Sequence, residues 1–183
     1  GMPGIALTDH GAMFGIKEFF DYVNKKNGPL LRERKDLKKQ IKALEEQEER
    51  SAEDEAKLSE LREQLQAAEA KPLFKPILGC EVYCARRSRF KKDANVPNPY
   101  RPNQSVDNSG WHLVLLAKDL TGYKNLIKMV SRSWIDGYYY RPRIDKELLE
   151  AHHEGIIASS ACLGGEIPQH IMYGNIDEAE KSI

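Results

Sequence analysis

Hydrophobic and polar positions follow two rhythms along this chain. Residues 4–8 form a short apolar run that reads as a buried strand and ends in Asp9, His10 and Gly11. From 12 to 25 the period lengthens. Met13, Ile16, Phe19, Phe20 and Val23 recur at steps of three and four, which predicts a helix with one buried face. Residues 30–71 contain no Gly or Pro and carry two further stripes, Leu37-Ile41-Leu44 and Leu58-Leu61-Leu65-Ala68. Between them Ser51, followed by Glu53 and Asp54, has the chemistry of a helix N-cap with acids in the first turn. The pattern predicts two antiparallel helices joined near residues 50–51, a short coiled-coil hairpin inserted into the core. Its bland reading is a solvated helical insertion, and its sharper one a docking arm.

After Pro72 and Pro76 the pattern returns to strands. "PILGCEVYC" (76–84) and "WHLVLLA" (111–117) are strand formers, and the polar, proline-bearing stretch 88–110 between them reads as a long loop. Thr121 is placed to cap a helix running to Trp134, with Leu126, Ile127 and Val130 inward. An aromatic and basic loop (136–145) follows, and Asp145 can cap the short helix "KELLEAHH". Residues 155–165 make a fourth strand and a Gly-rich turn, and two short helices close the chain, with His170 on a solvent face of the first. Strands separated by helices predict an α/β fold with a mainly parallel sheet, open or closed as a barrel. The chain divides into a first core part (1–29), the helical insertion (30–71) and the continued core (72–183).

Composition limits the function classes. Lys and Arg number 28 and so do Asp and Glu, so the formal net charge is zero and no global field holds a polyanion. No apolar run is long enough for a membrane span, and no secretory leader opens the chain, so a cytoplasmic location is expected. Cys80, Cys84 and Cys162 are an odd set with no disulfide framework, which reads as reduced thiols.

Chemically competent residues recur at strand ends. His10 follows the first strand, Glu81 lies in the second, His112 opens the third and Cys162 follows the fourth. In parallel α/β folds the C-terminal strand ends converge on one face, where sites are built. His, Glu and Cys all bind zinc, and His and Glu also suit manganese or iron. Each residue has an alternative. Asp9 and His10 can be a turn whose Asp9 caps the next helix. Glu81, a carboxylate in an apolar strand, can be half of a buried ion pair. His112 can be a satisfied core histidine and Cys162 a small buried hydrophobe. Cys80 and Cys84 read as packing residues, and His152 and His153 as charges at a helix C-terminus.

Five blocks, "GMPGIALTDHGAMFG", "KPILGCEVY", "HLVLLAKDLTGYKNLIKMVS", "GYYYRPRIDKELLE" and "SSACLGGEIPQ", occur in an order that resembles the polymerase-and-histidinol-phosphatase (PHP) domain, in the branch found at the start of bacterial replicative DNA polymerase III alpha subunits. The resemblance covers most of the chain outside 28–74 and 88–110. It implies a partial, distorted (β/α)7 PHP-type barrel with the helical hairpin inserted, and a cluster of divalent metal ions (zinc, manganese or magnesium) at its mouth. Residue by residue, it carries the ligand role to His10, Glu81, His112 and Cys162, with Asp9 behind them. The family's HxH motif upstream and DxH motif downstream have no counterpart in the 183 residues. The chain is therefore expected to hold part of the ligand set, to bind metal weakly or not at all, to be inactive by itself, and to self-associate through open sheet edges.

The resemblance further implies a role in DNA replication, within a DNA-directed DNA polymerase. The intact domain would be a metal-dependent phosphoesterase acting as a 3′→5′ proofreading exonuclease. The alternative is a non-catalytic module that stabilises the polymerase and docks a separate proofreading exonuclease subunit. Expected partners are DNA and other polymerase III subunits. Tyr139, Arg141 and Arg143 are candidate contacts to nucleic acid or to neighbouring domains.

Overall fold

A computed structural model describes residues 1–183. The chain forms two compact units, one of residues 1–5 and 17–76, the other of residues 6–16 and 77–183.

The first unit is dominated by a helical hairpin. Helix α1 (Ile16–Glu45) runs unbroken through Gly28 and Pro29, so the helix end anticipated near residue 25 does not occur. Pro29 removes one intrahelical hydrogen bond at a cost of about 3 kcal/mol. Packing of the following turns against α2 (Ala52–Ala70) offsets that cost. Leu37, Ile41, Leu58, Leu61 and Ala68 form its buried seam, flanked by Leu30, Leu44 and Leu65. Ser51 caps α2 with a full capping box: its side chain accepts from the Asp54 amide (3.1 Å), and Asp54 accepts from the Ser51 amide (3.0 Å). At the other end no basic residue lies in the last turn of α2, and Arg34 of α1 supplies the missing donors to the Ala68 carbonyl (3.0 Å) and the Lys71 carbonyl (2.6 Å). The Asn27 amide group binds both backbone polar groups of Phe74, at 2.9 and 3.2 Å, where the chain returns.

The second unit carries most of a sheet of order β1-β2-β5-β7, formed by β1 (Gly4–His10), β2 (Lys75–Ala85), β5 (Gly110–Ala117) and β7 (Ile156–Ser160). Strand β6 (Arg143–Ile144) also pairs with β2. Strand β1 is an edge strand, with Ile5 47% exposed, rather than the buried strand its apolar run predicted. The mainly parallel sheet expected from element order is also corrected. The β2–β5 and β5–β7 pairings are antiparallel, and the β2–β6 pairing is parallel. The reason lies in the connection. Residues 86–109 contain no crossover helix; they fold as a two-stranded sheet, β3 (Pro97–Asn98) with β4 (Arg101–Ser105), where a long loop was expected, and β5 returns alongside β2.

Alternation assigns the two faces of the β2–β5 pair. Cys80, Val82 and Cys84 with Trp111, Leu113 and Leu115 form one face, packed on Leu126, Met129 and Val130 of α3 (Leu120–Ile135). Glu81, Tyr83 and His112 stand on the other. Helix α3 is capped by Asp119, not Thr121: the Asp119 carboxylate accepts from the Gly122 amide at 2.9 Å. Ile127, predicted inward, is 40% exposed. Helix α4 (Lys146–Ala151) starts at Asp145 as expected, and α5 (Glu166–Met172) and α6 (Ile176–Lys181) close the chain. His170 on α5 is buried, not solvent-facing, and its Nδ1 lies 2.9 Å from the Tyr100 hydroxyl.

One buried cation ties the connecting segments together. The fully buried Arg143 donates to the backbone carbonyls of Gly137 (2.9 Å), Asp107 (2.8 Å), Arg89 (2.9 Å) and Lys91 (3.0 Å). It is thus unavailable to a phosphate or a neighbouring domain, against its expected contact role. Next to it Arg89 pairs with Asp145 at 2.7 Å, both buried, and Arg87 forms a two-point pair with Asp107. Burial pushes the Asp107 and Asp145 carboxyls up, but their arginine and amide partners outweigh it and hold both below the ordinary aspartate value.

Two outcomes follow. Arg143→Ala should lower unfolding free energy by roughly 3 kcal/mol or more, because four buried carbonyls lose a charged donor, and Arg143→Lys should recover only part, lacking the planar fork. Urea unfolding checks both. The depressed Asp107 and Asp145 contribute stability that is fully present above the unfolded aspartate pKa of about 3.9 and is lost as pH falls through the lower folded values. Urea midpoints should therefore hold down to about pH 4 and drop below it, and Asp145→Asn should flatten that drop.

Candidate metal centre

The site is built around Glu81. It stands on the face of β2 opposite the apolar core and is 9% exposed, so its carboxylate needs partners. Three of them come from separate segments. His10, the last residue of β1, places Nδ1 2.6 Å from Glu81 Oε2. His112, the third residue of β5, places Nδ1 2.9 Å from Glu81 Oε1. Cys162, just past β7, has Sγ 3.3 Å from His112 Nδ1 and 3.8 Å from Glu81 Oε1. Donor atoms of Glu81, His112 and Cys162 all lie within 4.8 Å of one another. The four predicted ligands therefore meet, though not at four C-terminal strand ends. Because β5 runs antiparallel to β2 and β7, His112 reaches the site from the N-terminal end of its strand.

Local structure fixes the donors. Tyr83, cross-strand partner of His112, packs edge-on against its ring with centroids 5.1 Å apart at 89°. The Cys162 loop returns against β5, where the His112 amide donates to the Gly164 carbonyl (3.0 Å) and the Gly164 amide to Cys162 Sγ (3.4 Å). A Cβ on Gly164 would sit 3.2 Å from two atoms of the His112 ring, so any larger residue there would press on that ring by a few tenths of an ångström. Gly11, with φ of 63°, turns the chain directly after His10 and donates its amide to the Glu81 carbonyl at 2.8 Å. Both glycines escaped the sequence analysis as site residues. The Gly-Gly pair after Cys162 was their only signal.

The other candidates divide. Asp9 accepts a hydrogen bond from the Gly15 amide at 3.0 Å, the turn role weighed for it, and makes no contact with the donor cluster. Tyr139 is half-buried, and Arg141 is exposed with its guanidinium 5.9 Å from the Tyr83 ring centroid. His152 caps α4, and His153 bonds the Glu150 carbonyl at 2.6 Å. Cys80 and Cys84 are buried in the core as expected, and burial pushes both thiols up to about 12.

Two imidazoles, a carboxylate and a thiol sharing one buried-to-exposed gradient suit a divalent ion. Comparison with known proteins agrees. A family profile described as the PHP domain matches residues 1–183. The chain belongs to the PHP family. It is 45% identical over 177 residues to the DNA polymerase III subunit alpha of Deinococcus radiodurans, which covers 97% of this chain and 9% of that protein. It is 40% identical over 178 residues to the subunit of the same name in Thermus aquaticus, covering 97% of this chain and 10% of that protein. The corresponding Borreliella burgdorferi subunit is 35% identical over 182 residues, 100% of this chain and 11% of that protein. The PHP chain thus spans about a tenth of the length of these curated relatives. No helix is long and apolar enough to cross a membrane.

The thiols supply a direct check on the ligand set. Iodoacetamide at neutral pH should modify exposed Cys162 and spare buried Cys80 and Cys84. Cobalt(II) at saturation should slow that alkylation and give a thiolate-to-metal absorption band that Cys162→Ser removes. Alkylation unaffected by the ion would remove Cys162 from the ligand set.

Proposed function

We propose that this PHP chain forms part of a metal-dependent phosphodiesterase site in a bacterial replicative DNA polymerase, working as a 3′→5′ proofreading exonuclease. The observation that carries the reading is the Glu81 carboxylate shared between His10 and His112, with Cys162 against it. A simple buried ion pair needs one cation, whereas this carboxylate gathers two imidazoles and a thiol from three other segments. His10, Glu81, His112 and Cys162 would hold the ion, and the thiolate among the donors favours zinc over magnesium. A divalent ion bound there would supply a hydroxide nucleophile at neutral pH and a Lewis acid for a phosphoryl oxygen.

The chain's own residues set the conditions. Glu81 fixes both imidazoles by their Nδ1 atoms, which sets their orientation and couples their tautomers. The side chain of His10 is 69% exposed, so the cluster opens to solvent on the β1 side and admits a substrate there. In the proposed setting the sheet is part of a larger PHP barrel, the partners are DNA and the other polymerase III subunits, and the location is the cytoplasm. A second reading, a structural module that docks a separate exonuclease, is favoured by one fact: the cluster is already internally hydrogen-bonded, and Glu81 has partners for both oxygens.

Metal content and exonuclease activity on single-stranded DNA decide between them, measured with the flanking segments that carry the family's remaining ligand motifs joined to the chain. Glu81→Ala and His10→Ala should each lower activity by roughly 100-fold or more, the scale of removing one charge-stabilising group. Absence of both metal and activity would establish the structural reading instead.

A further inference from the structure

Past Gly11, on the α3 side of the sheet, lies a feature that catalysis by the donor cluster does not use. A groove of about 430 Å³ runs between residues 12–14 and α3, lined among others by Met13, Phe14, Ile127, Trp134 and Ile135. Its rim is aromatic and open: Phe14 is 85% exposed, Trp134 44% and Tyr138 48%. Contiguous apolar exposure of this kind marks a binding surface. We propose that this groove is a stacking platform for the nucleobases of a single-stranded DNA end. The inference rests on the phosphodiesterase reading for the identity of the strand, and it specifies how that strand is held.

Ring geometry supports flat ligands. Trp134 and Tyr138 stack with centroids 5.5 Å apart at 20°. Phe14 stands 6.5 Å from Trp134, tilted by 38°. That is an ordinary separation for neighbouring aromatic rings, so a base stacks on the exposed faces they present rather than between them. Trp134 is pinned, because its indole N–H donates to the Gly11 carbonyl at 2.9 Å. Gly11 directly follows the ligand His10 and donates its own amide to Glu81. A base on Trp134 is thereby registered against the cluster by one residue of backbone.

Charge selects a polyanion over an apolar peptide. Helix α3 carries Lys124, Lys128 and Arg132 and no Asp or Glu. Arg132 pairs with Asp136 at 2.6 Å, while Lys124 and Lys128 have no carboxylate within ion-pair distance. Both lysines are exposed, one residue past the groove residues Tyr123 and Ile127, so they flank the aromatic stripe where a sugar-phosphate backbone would run.

The test is fluorescence anisotropy of a short labelled oligothymidylate with the 183-residue chain, in chelator so that the metal centre plays no part. Binding should weaken roughly five- to 150-fold in Phe14→Ala, the range for loss of one base-aromatic stack, with Phe14→Tyr restoring it. The Lys124→Ala/Lys128→Ala double variant should reduce the slope of log affinity against log salt by about 1.4, and Phe14→Ala should leave that slope unchanged. Absence of binding, or equal affinity in Phe14→Ala, would overturn the proposal. So would a dimer in sedimentation that Phe14→Ala dissolves, which assigns the groove to a second copy. Loss of affinity in Phe14→Ala without any hydrolysis in the extended protein would leave the platform standing and reject the phosphodiesterase reading alone.

Discussion

The structure turns on a carboxylate that cannot stand alone. Glu81 sits in a strand whose neighbours Cys80 and Val82 are core residues, and burial of its charge is tolerable only with donors on both oxygens. Satisfying it requires three chain segments to arrive at one point: the end of β1, the start of β5 and the turn after β7. Each arrival has its own device. Gly11 turns the chain after His10, Tyr83 braces the His112 ring, and Gly164 lets the Cys162 loop close on β5. Under the proposed function, the desolvation cost of the carboxylate is answered by the ion that the gathered donors would hold.

The same logic holds one layer out. The segment between β2 and β5 has little apolar content, and its backbone carbonyls need donors. Arg143 meets three of them at once from β6, which itself pairs with β2, and holds the Gly137 carbonyl besides. Asp145, two residues on, accepts from Arg89 and caps α4. A polar segment is thus held by buried, paired charge beside the β2–β5 ladder, whose register sets His112 diagonal to Glu81.

What could be read from the sequence was what depends on near neighbours. The hairpin's seam and the Ser51-Asp54 cap are three- and four-residue patterns, and both appear as expected. The four candidate donors were singled out because polar residues within or at the ends of apolar strands stand out. Strand direction was not legible, since it depends on how residues 86–109 connect β2 to β5 rather than on the strands themselves. Nor was the burial of Arg143 or His170, each of which needs partners dozens of residues away. The continuation of α1 through Gly28 and Pro29 was not legible either, because the local cost of Pro29 is overridden only by tertiary packing along the later turns.

The antiparallel course of β5 has a consequence for the site. A parallel sheet would have placed every ligand on a strand-to-helix loop at one end, all of them similarly mobile. Here His112 stands within a paired strand, and Glu81 lies mid-strand on β2, while His10 ends β1 and Cys162 lies in the loop past β7. Two donors are therefore fixed by the ladder, and two can adjust around them. That division suits the proposed centre, which would keep its geometry and yet open on the side of exposed His10, where the backbone leads through Gly11 to Trp134.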